Sequence, residues 1–367
     1  MRVRFIILTV IVTLSWSVKQ YCISQTSAAS DLSGDEADIS IIGVGDIMLS
    51  SWLLPILQEK GCDYPFIATR NHIKDADISI ANLEAPFTEG GEPYEKKYNF
   101  KVPPSYAVGI KRAGFDVVNL ANNHIMDYGA HGLLRTISTL DSAKIGYCGA
   151  GKNIEMANYP YLCDVRGKKI AFLGYSMTYP LEFATRGDSA GTVYPVAALL
   201  KRTVNFWNTQ VDYVVVSFHW GAEKYDTPKE YQTEFAHLAI DHGADLVLGH
   251  HPHVLQGLEL YRGRLIAYSL GNYAFASYSE NARESIILKV VLAENGLHYA
   301  QCIPINVYNQ EVEFQPQILY GTRGSAVIHK LQNLSLSLNG GVQVISDSGM
   351  IRGSGTTASV SGSYSGE

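Results

Sequence analysis

The sequence predicts an α/β fold with mixed sheets, and three observations support this prediction. Short apolar runs alternate along the chain with segments of helical periodicity, several of these runs end in polar residues, and a hairpin pattern follows near residue 295. The chain has 367 residues, of which 46% are hydrophobic. This is enough for one large packed domain with extensions.

Five predicted strands each end in polar side chains. The apolar runs lie at residues 39–44, 77–81, 115–120, 213–218 and 245–248. The polar residues that follow them are, in the same order, Gly45-Asp46, Asn82-Leu83-Glu84, Ala121-Asn122-Asn123-His124, His219-Trp220-Gly221 and the histidines at 250–253. In open α/β sheets, ligands bind at the carboxyl ends of the strands. We therefore expect these polar side chains to share one site.

Helices fit between the predicted strands. Helical spacing of apolar residues predicts helices at 105–113, 132–140 and 229–242, and the first and last of these stop at Gly114 and Gly243. Further strands are predicted at 168–175, 257–260, 264–270, 285–292 and 298–305. The last two are joined at Glu294-Asn295-Gly296, which predicts a hairpin.

A histidine cluster, Leu-Gly-His-His-Pro-His at 248–253, is the most informative motif. Histidine is the commonest metal ligand. In an extended segment, His251 and His253 would face one point while His250 would face the other way. The alternative is a polar turn with solvated histidines, and it loses weight because ligand-type residues end several other strands.

Charge and the N-terminus restrict the class of protein. The formal net charge is -6, and no run of Lys or Arg predicts a track for a phosphate backbone, so nucleic acid is disfavoured as a partner. Arg2 and Arg4 precede an uncharged run at 5–18. Residues 1–23 are therefore predicted to be a signal peptide or short anchor and 24–38 a linker, which would place the protein in the periplasm, on the extracellular face or anchored in the cell envelope.

Cysteine usage is sparse, and it enters no functional argument. Lipidation of Cys22 is disfavoured, since Lys19 and Tyr21 stand where a lipoprotein box needs small apolar residues. Cys62, Cys148, Cys163 and Cys302 form no CxxC pair, so either buried thiols or a disulfide remain open. Residues 326–367 are predicted to be a weakly structured to flexible tail.

Seven ordered motifs between residues 39 and 276 resemble the CapA/PgsA family, which is linked to bacterial capsule and poly-γ-glutamate synthesis. They are GDIML (45–49), NLEAPFT (82–88), NLANNHIMDYG (119–129), GAG (149–151), HWGAE (219–223), GHHPHVLQ (249–256) and YSLGNY (268–273). That family in turn resembles the calcineurin-like metallophosphoesterases. The resemblance implies a four-layer α/β/β/α sandwich of metallophosphoesterase type spanning residues 39–325, with C-terminal strands at 284–306.

The same resemblance implies a role for each site residue. It assigns one or two divalent ions (Mn, Zn, Fe or Mg) to Asp46, Glu84, Asn123, His219, His251 and His253, with Glu84 bridging. It assigns His124 to the leaving group or a phosphoryl oxygen, and Asn122 and Glu223 to the orientation of imidazoles. It leaves Asn82, Trp220, His250, Ser269 and Asn272 as pocket residues, and ordinary turn chemistry is an equal alternative for the last two.

The first strand end departs from the wider superfamily. Met48 stands where an Asp-x-His motif would supply a histidine, and a thioether is a poor ligand for a hard ion. Glu84 replaces an Asp-based motif, so the bridging carboxylate has a longer side chain. Weak binding of the first metal is therefore expected, together with either different chemistry or a different metal stoichiometry.

Two functions compete at the level of sequence. The first is an exported metal-dependent hydrolase of a phosphoester or related envelope linkage. The second is a non-catalytic polymer-assembly component that holds an anionic envelope polymer in the same pocket, together with membrane-associated synthesis machinery. Several tyrosines, including Tyr179, could line a groove for polymer or cover sheet edges and loops.

Overall fold

The computed structural model describes residues 38–353. Its strands are β1 (Ile39–Met48), β2 (Ile78–Leu83), β3 (Val117–Asn119), β4 (Gly146–Cys148), β5 (Ala150–Gly151), β6 (Tyr161–Val165), β7 (Lys168–Ser176), β8 (Gly191–Thr192), β9 (Tyr213–His219), β10 (Leu246–His250), β11 (Leu258–Tyr261), β12 (Arg264–Ala267), β13 (Asn272–Phe275), β14 (Glu284–Ala293), β15 (Gly296–Asn306), β16 (Gln317–Ile318) and β17 (Met350–Arg352).

The α-helices are α1 (Leu54–Lys60), α2 (Arg70–Ile73), α3 (Ala107–Ala113), α4 (Gly129–Ala143), α5 (Ile154–Ala157), α6 (Ala197–Asn208), α7 (Glu230–Asp241), α8 (Asn309–Val312) and α9 (Gly321–Leu336). Short 3₁₀ turns lie at Ser51–Leu53, Tyr64–Phe66, Pro104–Tyr106, Leu181–Phe183 and Glu280–Ala282. Within residues 38–353, no helix is long and apolar enough to cross a membrane.

Two mixed sheets form the centre of the fold. The first runs in the order β16-β15-β14-β1-β2-β3-β4, with β13 paired to β1 and β17 to β15. Strands β1 to β4 are parallel, and β14 and β15 pair antiparallel as the predicted hairpin. The second runs β11-β12-β10-β9-β7-β6, with parallel neighbours from β12 to β7.

Three apolar clusters show how the layers stack. Ile41 of β1 packs in the interior between the sheets with Val215 of β9, whereas its neighbour Ile42 faces the cluster that also contains Ile110 of α3 and Leu133 of α4. This alternation follows from the two-residue period of a strand. The outer face of the second sheet packs against α6 and α7. The predicted four-layer α/β/β/α sandwich with mixed sheets is confirmed.

The C-terminal region differs from the prediction. Residues 326–353 were expected to be weakly structured, yet they contain most of α9 and all of β17. Val327, Ile328 and Leu331 of α9 are buried in the cluster between the sheets. The prediction was wrong for this stretch because long-range packing, rather than local pattern, supplies its stability. The predicted signal peptide, the linker up to residue 37 and the end of the tail lie outside the described residues.

The cysteine alternatives are resolved for the described part of the chain. Cys62, Cys148, Cys163 and Cys302 are free thiols there, and Cys148 and Cys302 are buried. Burial raises the pKa of each of these two thiols to about 12. They are therefore poor nucleophiles at neutral pH.

Candidate metal centre

The carboxyl ends of parallel strands from both sheets meet at one edge of the sandwich. Asp46 lies in β1, Glu84 directly follows β2, and His219 ends β9. His250 ends β10, and the loop after it carries the other two histidines of the cluster. As the positions of the strand ends predicted, the fold brings these residues together.

Two overlapping groups of side chains could each hold a metal ion. Asp46, Glu84 and His253 form one group, and within it the potential ligand atoms lie within 4.8 Å of one another. Glu84, His219 and His251 form the other by the same measure. Glu84 belongs to both groups, so its carboxylate is shared between them.

Individual distances give the shape of these groups. His253 Nδ1 lies 3.1 Å from Asp46 Oδ2, and its Nε2 lies 3.7 Å from Glu84 Oε1. His219 Nε2 is also 3.7 Å from Glu84 Oε1, and it lies 2.9 Å from Asn123 Oδ1. The predicted ligand Asn123 thus lies beside the second group.

Several buried polar atoms at the centre have no hydrogen-bond partner among the described residues. They are Glu84 Oε1, His219 Nδ1, His251 Nδ1 and both ring nitrogens of His250. Buried polar groups are normally paired, and an unpaired cluster of oxygen and nitrogen lone pairs needs another explanation. A mixture of carboxylate and imidazole donors fits a divalent cation.

The two carboxylates have opposite shifts in pKa. Burial raises the pKa of Asp46, but the imidazoles of His250 and His253, whose Nδ1 atoms lie 3.4 Å and 3.1 Å from its oxygens, outweigh that effect and hold the pKa well below its usual range. Burial and the neighbouring charge of Asp46 raise the pKa of Glu84 well above its usual range. Two carboxylates with no exposed surface are costly together, and a cation would relieve that cost.

The three imidazoles differ in the direction of their pKa shifts. Burial lowers the pKa of His219 well below the ordinary value, with His251 adding to the effect, and burial lowers the pKa of His251 to about 3. Both rings are therefore neutral, which is the form that binds metals. Burial lowers the pKa of His253 as well, but Glu84 and Asp46 outweigh it and raise it to about 9.

The predicted facing pattern holds for His251 and His253, which both reach Glu84, but the backbone of the histidine cluster is not extended and His250 differs from the prediction. His251 has φ of 94° and His253 has φ of 59°, both in the left-handed region. His250 does not face away, because its Nδ1 lies 3.4 Å from Asp46 Oδ1. It is 1% exposed and contacts the first group without belonging to it.

Asparagine side chains hold the two carboxylates and the loops around them. Asn82 Nδ2 donates to Asp46 Oδ1 at 2.9 Å and to Glu84 Oε2 at 3.2 Å. Asn272 Oδ1 lies 3.0 Å from His253 Nδ1. Both predicted pocket residues therefore reach the centre.

Asn122 acts on backbone rather than on an imidazole. Its Oδ1 accepts from the backbone N–H of His124 at 3.1 Å and of Ile125 at 2.9 Å, and its Nδ2 donates to Leu83 O at 2.8 Å. For the prediction that Asn122 orients imidazoles, its side chain shows no hydrogen bond to a ring among the described residues. Instead, it fixes the turn on which His124 stands.

Three other residues of the motifs have structural roles in packing or in a turn. Trp220 is fully buried among the apolar side chains on the outer face of the second sheet, where it stacks on Phe218. Its Nε1 donates to Tyr268 O at 2.9 Å. Trp220 is therefore not a pocket residue. Ser269 donates to Val254 O at 2.7 Å, which is the turn chemistry left open above. Met48 packs in the apolar cluster between the first sheet and its helices.

A charged pair beside His124 was not predicted from the sequence. His124 Nδ1 lies 2.8 Å from Asp127 Oδ2 and 3.1 Å from Lys96 Nζ, and Lys96 Nζ lies 2.5 Å from Asp127 Oδ1. Lys96 also donates to Asn123 O at 2.6 Å. Asp127 stands three residues after His124 in a quoted motif and could have been found, whereas Lys96 lies in a loop with no local signal.

A groove of about 720 Å³ adjoins the centre and shares Asn123 and His251 with it. Glu223 is exposed and lines this groove, so it stands beside the centre and not within either group. A larger cavity, of about 920 Å³, lies at Tyr147 and Tyr161 and contains none of the predicted site residues. Cavity size alone would therefore point to the wrong place.

Comparisons with known proteins agree with the sequence motifs. Residues 40–277 match the family described as "Bacterial capsule synthesis protein PGA_cap". The chain is 30% identical to "Capsule biosynthesis protein CapA" of Bacillus anthracis over 82% of this chain and 74% of that protein, and 30% identical to "PGA biosynthesis protein CapA" of Bacillus subtilis over 72% and 70%. Among solved structures, Haemophilus influenzae NAD nucleotidase is 15% identical over 81% of this chain and 62% of that chain, with a TM-score of 0.45.

Proposed function

Because this chain belongs to the PGA_cap family of bacterial capsule synthesis proteins, we propose that it serves capsule or poly-γ-glutamate biosynthesis as a metal-dependent hydrolase of a phosphoester or related envelope linkage. We also propose that the protein is exported to the cell envelope and acts there together with membrane-associated synthesis machinery.

One observation carries the hydrolase part of the proposal. Glu84 has no exposed surface, lies in both ligand groups and has a carboxylate oxygen that accepts no hydrogen bond from any described residue. Asp46 and His253 would complete one metal site, and His219 and His251 the other, with Asn123 beside them. A divalent cation bound there supplies a Lewis acid that polarises a phosphoryl oxygen.

His124 is the candidate proton carrier. Its ring is held at Nδ1 by Asp127, which leaves Nε2 as the nitrogen that can exchange a proton with a substrate oxygen. Burial lowers the pKa of His124, and Asp127 opposes that shift, so the ring is mainly neutral at pH 7. Lys96 neutralises Asp127 and ties it to the backbone of Asn123, which keeps the proton carrier next to the ligand groups.

Metal analysis combined with turnover tests this proposal. Purified protein is stripped of metal, reloaded with Mn²⁺, Zn²⁺, Fe²⁺ or Mg²⁺, and assayed on an aryl phosphodiester. We expect turnover with at least one ion, and we expect His251→Ala to lose turnover together with the ion of the group that contains His251. His329→Ala is the matched control, because His329 is an exposed histidine on α9 and should change neither quantity.

Three outcomes would each contradict one part of the proposal. Tight metal binding without turnover of any phosphoester would exclude hydrolysis and favour a polymer-assembly role. Absence of the protein from exported fractions, measured by fractionation with an epitope tag at the C-terminus, would exclude the proposed location. Unchanged surface polymer after gene deletion would exclude a role in capsule or poly-γ-glutamate synthesis.

A further inference from the structure

The groove beside the metal centre has an aromatic lining. Tyr179, Tyr194, Tyr231 and Phe235 contribute their rings. Tyr179 is 78% exposed and Tyr194 is 38% exposed. Single exposed aromatics are ordinary, but a cluster of them around a groove that opens onto a polar centre indicates a binding surface.

The charges that face the groove cancel. Glu223 and Lys229 are the only acidic and basic side chains of its lining in the described part of the chain. A polyanion such as poly-γ-glutamate would require a positive surface. The groove therefore suits an uncharged group.

The lining combines flat apolar faces with hydrogen-bonding groups. Tyr231 is held in place, since its hydroxyl accepts from the backbone N–H of Gly221 at 2.7 Å. Tyr179 and Tyr194 are exposed, so their rings and hydroxyls are available to a ligand. A sugar presents an apolar C–H face that packs on such rings and hydroxyls that pair with tyrosine, glutamate and lysine. A purely apolar ligand would leave Glu223 and Lys229 unused.

We propose that this groove binds the glycosyl group of the substrate, so that the hydrolysed linkage is a phosphoester that carries an uncharged sugar. The inference rests on the proposed function for the phosphoester itself. The groove adds the substrate class, and Tyr179 is the most exposed of its aromatic side chains.

Calorimetric binding to the metal-loaded full chain tests the inference without relying on turnover. The probes are N-acetylglucosamine 1-phosphate, inorganic phosphate, AMP and a γ-linked glutamate oligomer. We expect the sugar phosphate to bind about tenfold more tightly than inorganic phosphate, as one or two aromatic contacts would provide. Tyr179→Ala should remove most of this preference, and Tyr179→Phe should retain most of it. Tyr320→Ala is the control, because Tyr320 is 77% exposed and outside the groove.

The outcomes separate this inference from the proposed function. Equal binding of sugar phosphate and inorganic phosphate, tighter binding of AMP or of the glutamate oligomer, or the same loss in Tyr320→Ala would overturn the sugar site. Phosphodiester turnover accompanied by any of these results would leave the hydrolase intact and refute only the inference. Tyr179-dependent sugar binding with no turnover under any metal would support the groove and refute the hydrolase.

Discussion

Replacement of Glu84 by glutamine is the sharpest test of the metal centre, because this carboxylate belongs to both ligand groups. Glutamine has nearly the same shape and can still accept the hydrogen bond from Asn82, so the fold should be retained. What disappears is the negative charge that Glu84 would present to a bound cation, at a position with no exposed surface. The variant therefore removes charge at the shared position and little else.

The expected size of the effect follows from burial. Breaking a buried charge pair by removing one partner costs about 3–5 kcal/mol, which is about a thousandfold in metal affinity. At a free-metal concentration about one hundred times the wild-type dissociation constant, each bound ion stabilises the wild type by about 2.7 kcal/mol. For a domain of this size, each ion therefore raises the melting temperature by about 4 °C. Glu84→Gln should lose nearly all of this gain.

Metal content by mass spectrometry and thermal unfolding with and without metal provide the assay. Wild type should bind two ions and Glu84→Gln none. His253→Ala and His251→Ala should each retain one, because each removes a ligand from only one group. An unchanged metal content and thermal shift in Glu84→Gln, with native circular dichroism, would refute the bridging position. If the two histidine variants each lost both ions, the separation into two groups would be wrong.

Three further predictions follow from individual contacts. Metal affinity should rise with pH by up to about tenfold per unit until about pH 9. The reason is that His253, whose pKa is raised from the ordinary 6.5 to about 9 in the metal-free protein, must lose its proton to bind a metal. Calorimetry in matched buffers checks this, and a flat profile from pH 6.5 to 9 would contradict it. Asp127→Asn should lower kcat at least about tenfold with little change in metal content, because it removes the carboxylate that holds the His124 ring at Nδ1. Equal kcat in variant and wild type would exclude this positioning role of Asp127. Gly45→Ala should destabilise the protein by about 2 kcal/mol or more, because a Cβ there would lie 1.9 Å from the backbone oxygen of Gly271. An unchanged urea midpoint would contradict this, since it would show that β1 can move away from Gly271 without loss of stability.

Local pattern was sufficient for most elements and for the principal ligands. Strands at β1, β2, β9 and β10 follow from apolar runs, and their polar ends gave Asp46, Glu84, His219 and the histidine cluster. These residues meet because parallel strands place their carboxyl ends at one edge. That rule needs no knowledge of the tertiary structure, so the candidate centre could be located from the sequence.

Other features depended on contacts between distant segments. Lys96 reaches Asp127 across 31 residues from a loop without local signal, and Trp220 turned out to pack behind the second sheet. The left-handed backbone at His251 and His253 was also invisible to a rule that assumes extended strands. Helix α9 falls in the same class, since its buried face becomes evident only when the sheets are packed.

By itself, the order of residues determined which side chains end the strands, and hence the kind of chemistry available at the edge of the sheets, because burial and periodicity act over a few neighbours. The tertiary structure alone decided how each ring is turned, which carboxylate is shared, which charge stands behind His124 and which aromatic side chains line the groove. Those properties arise from distances between segments far apart in the chain, and short-range preferences do not specify such distances.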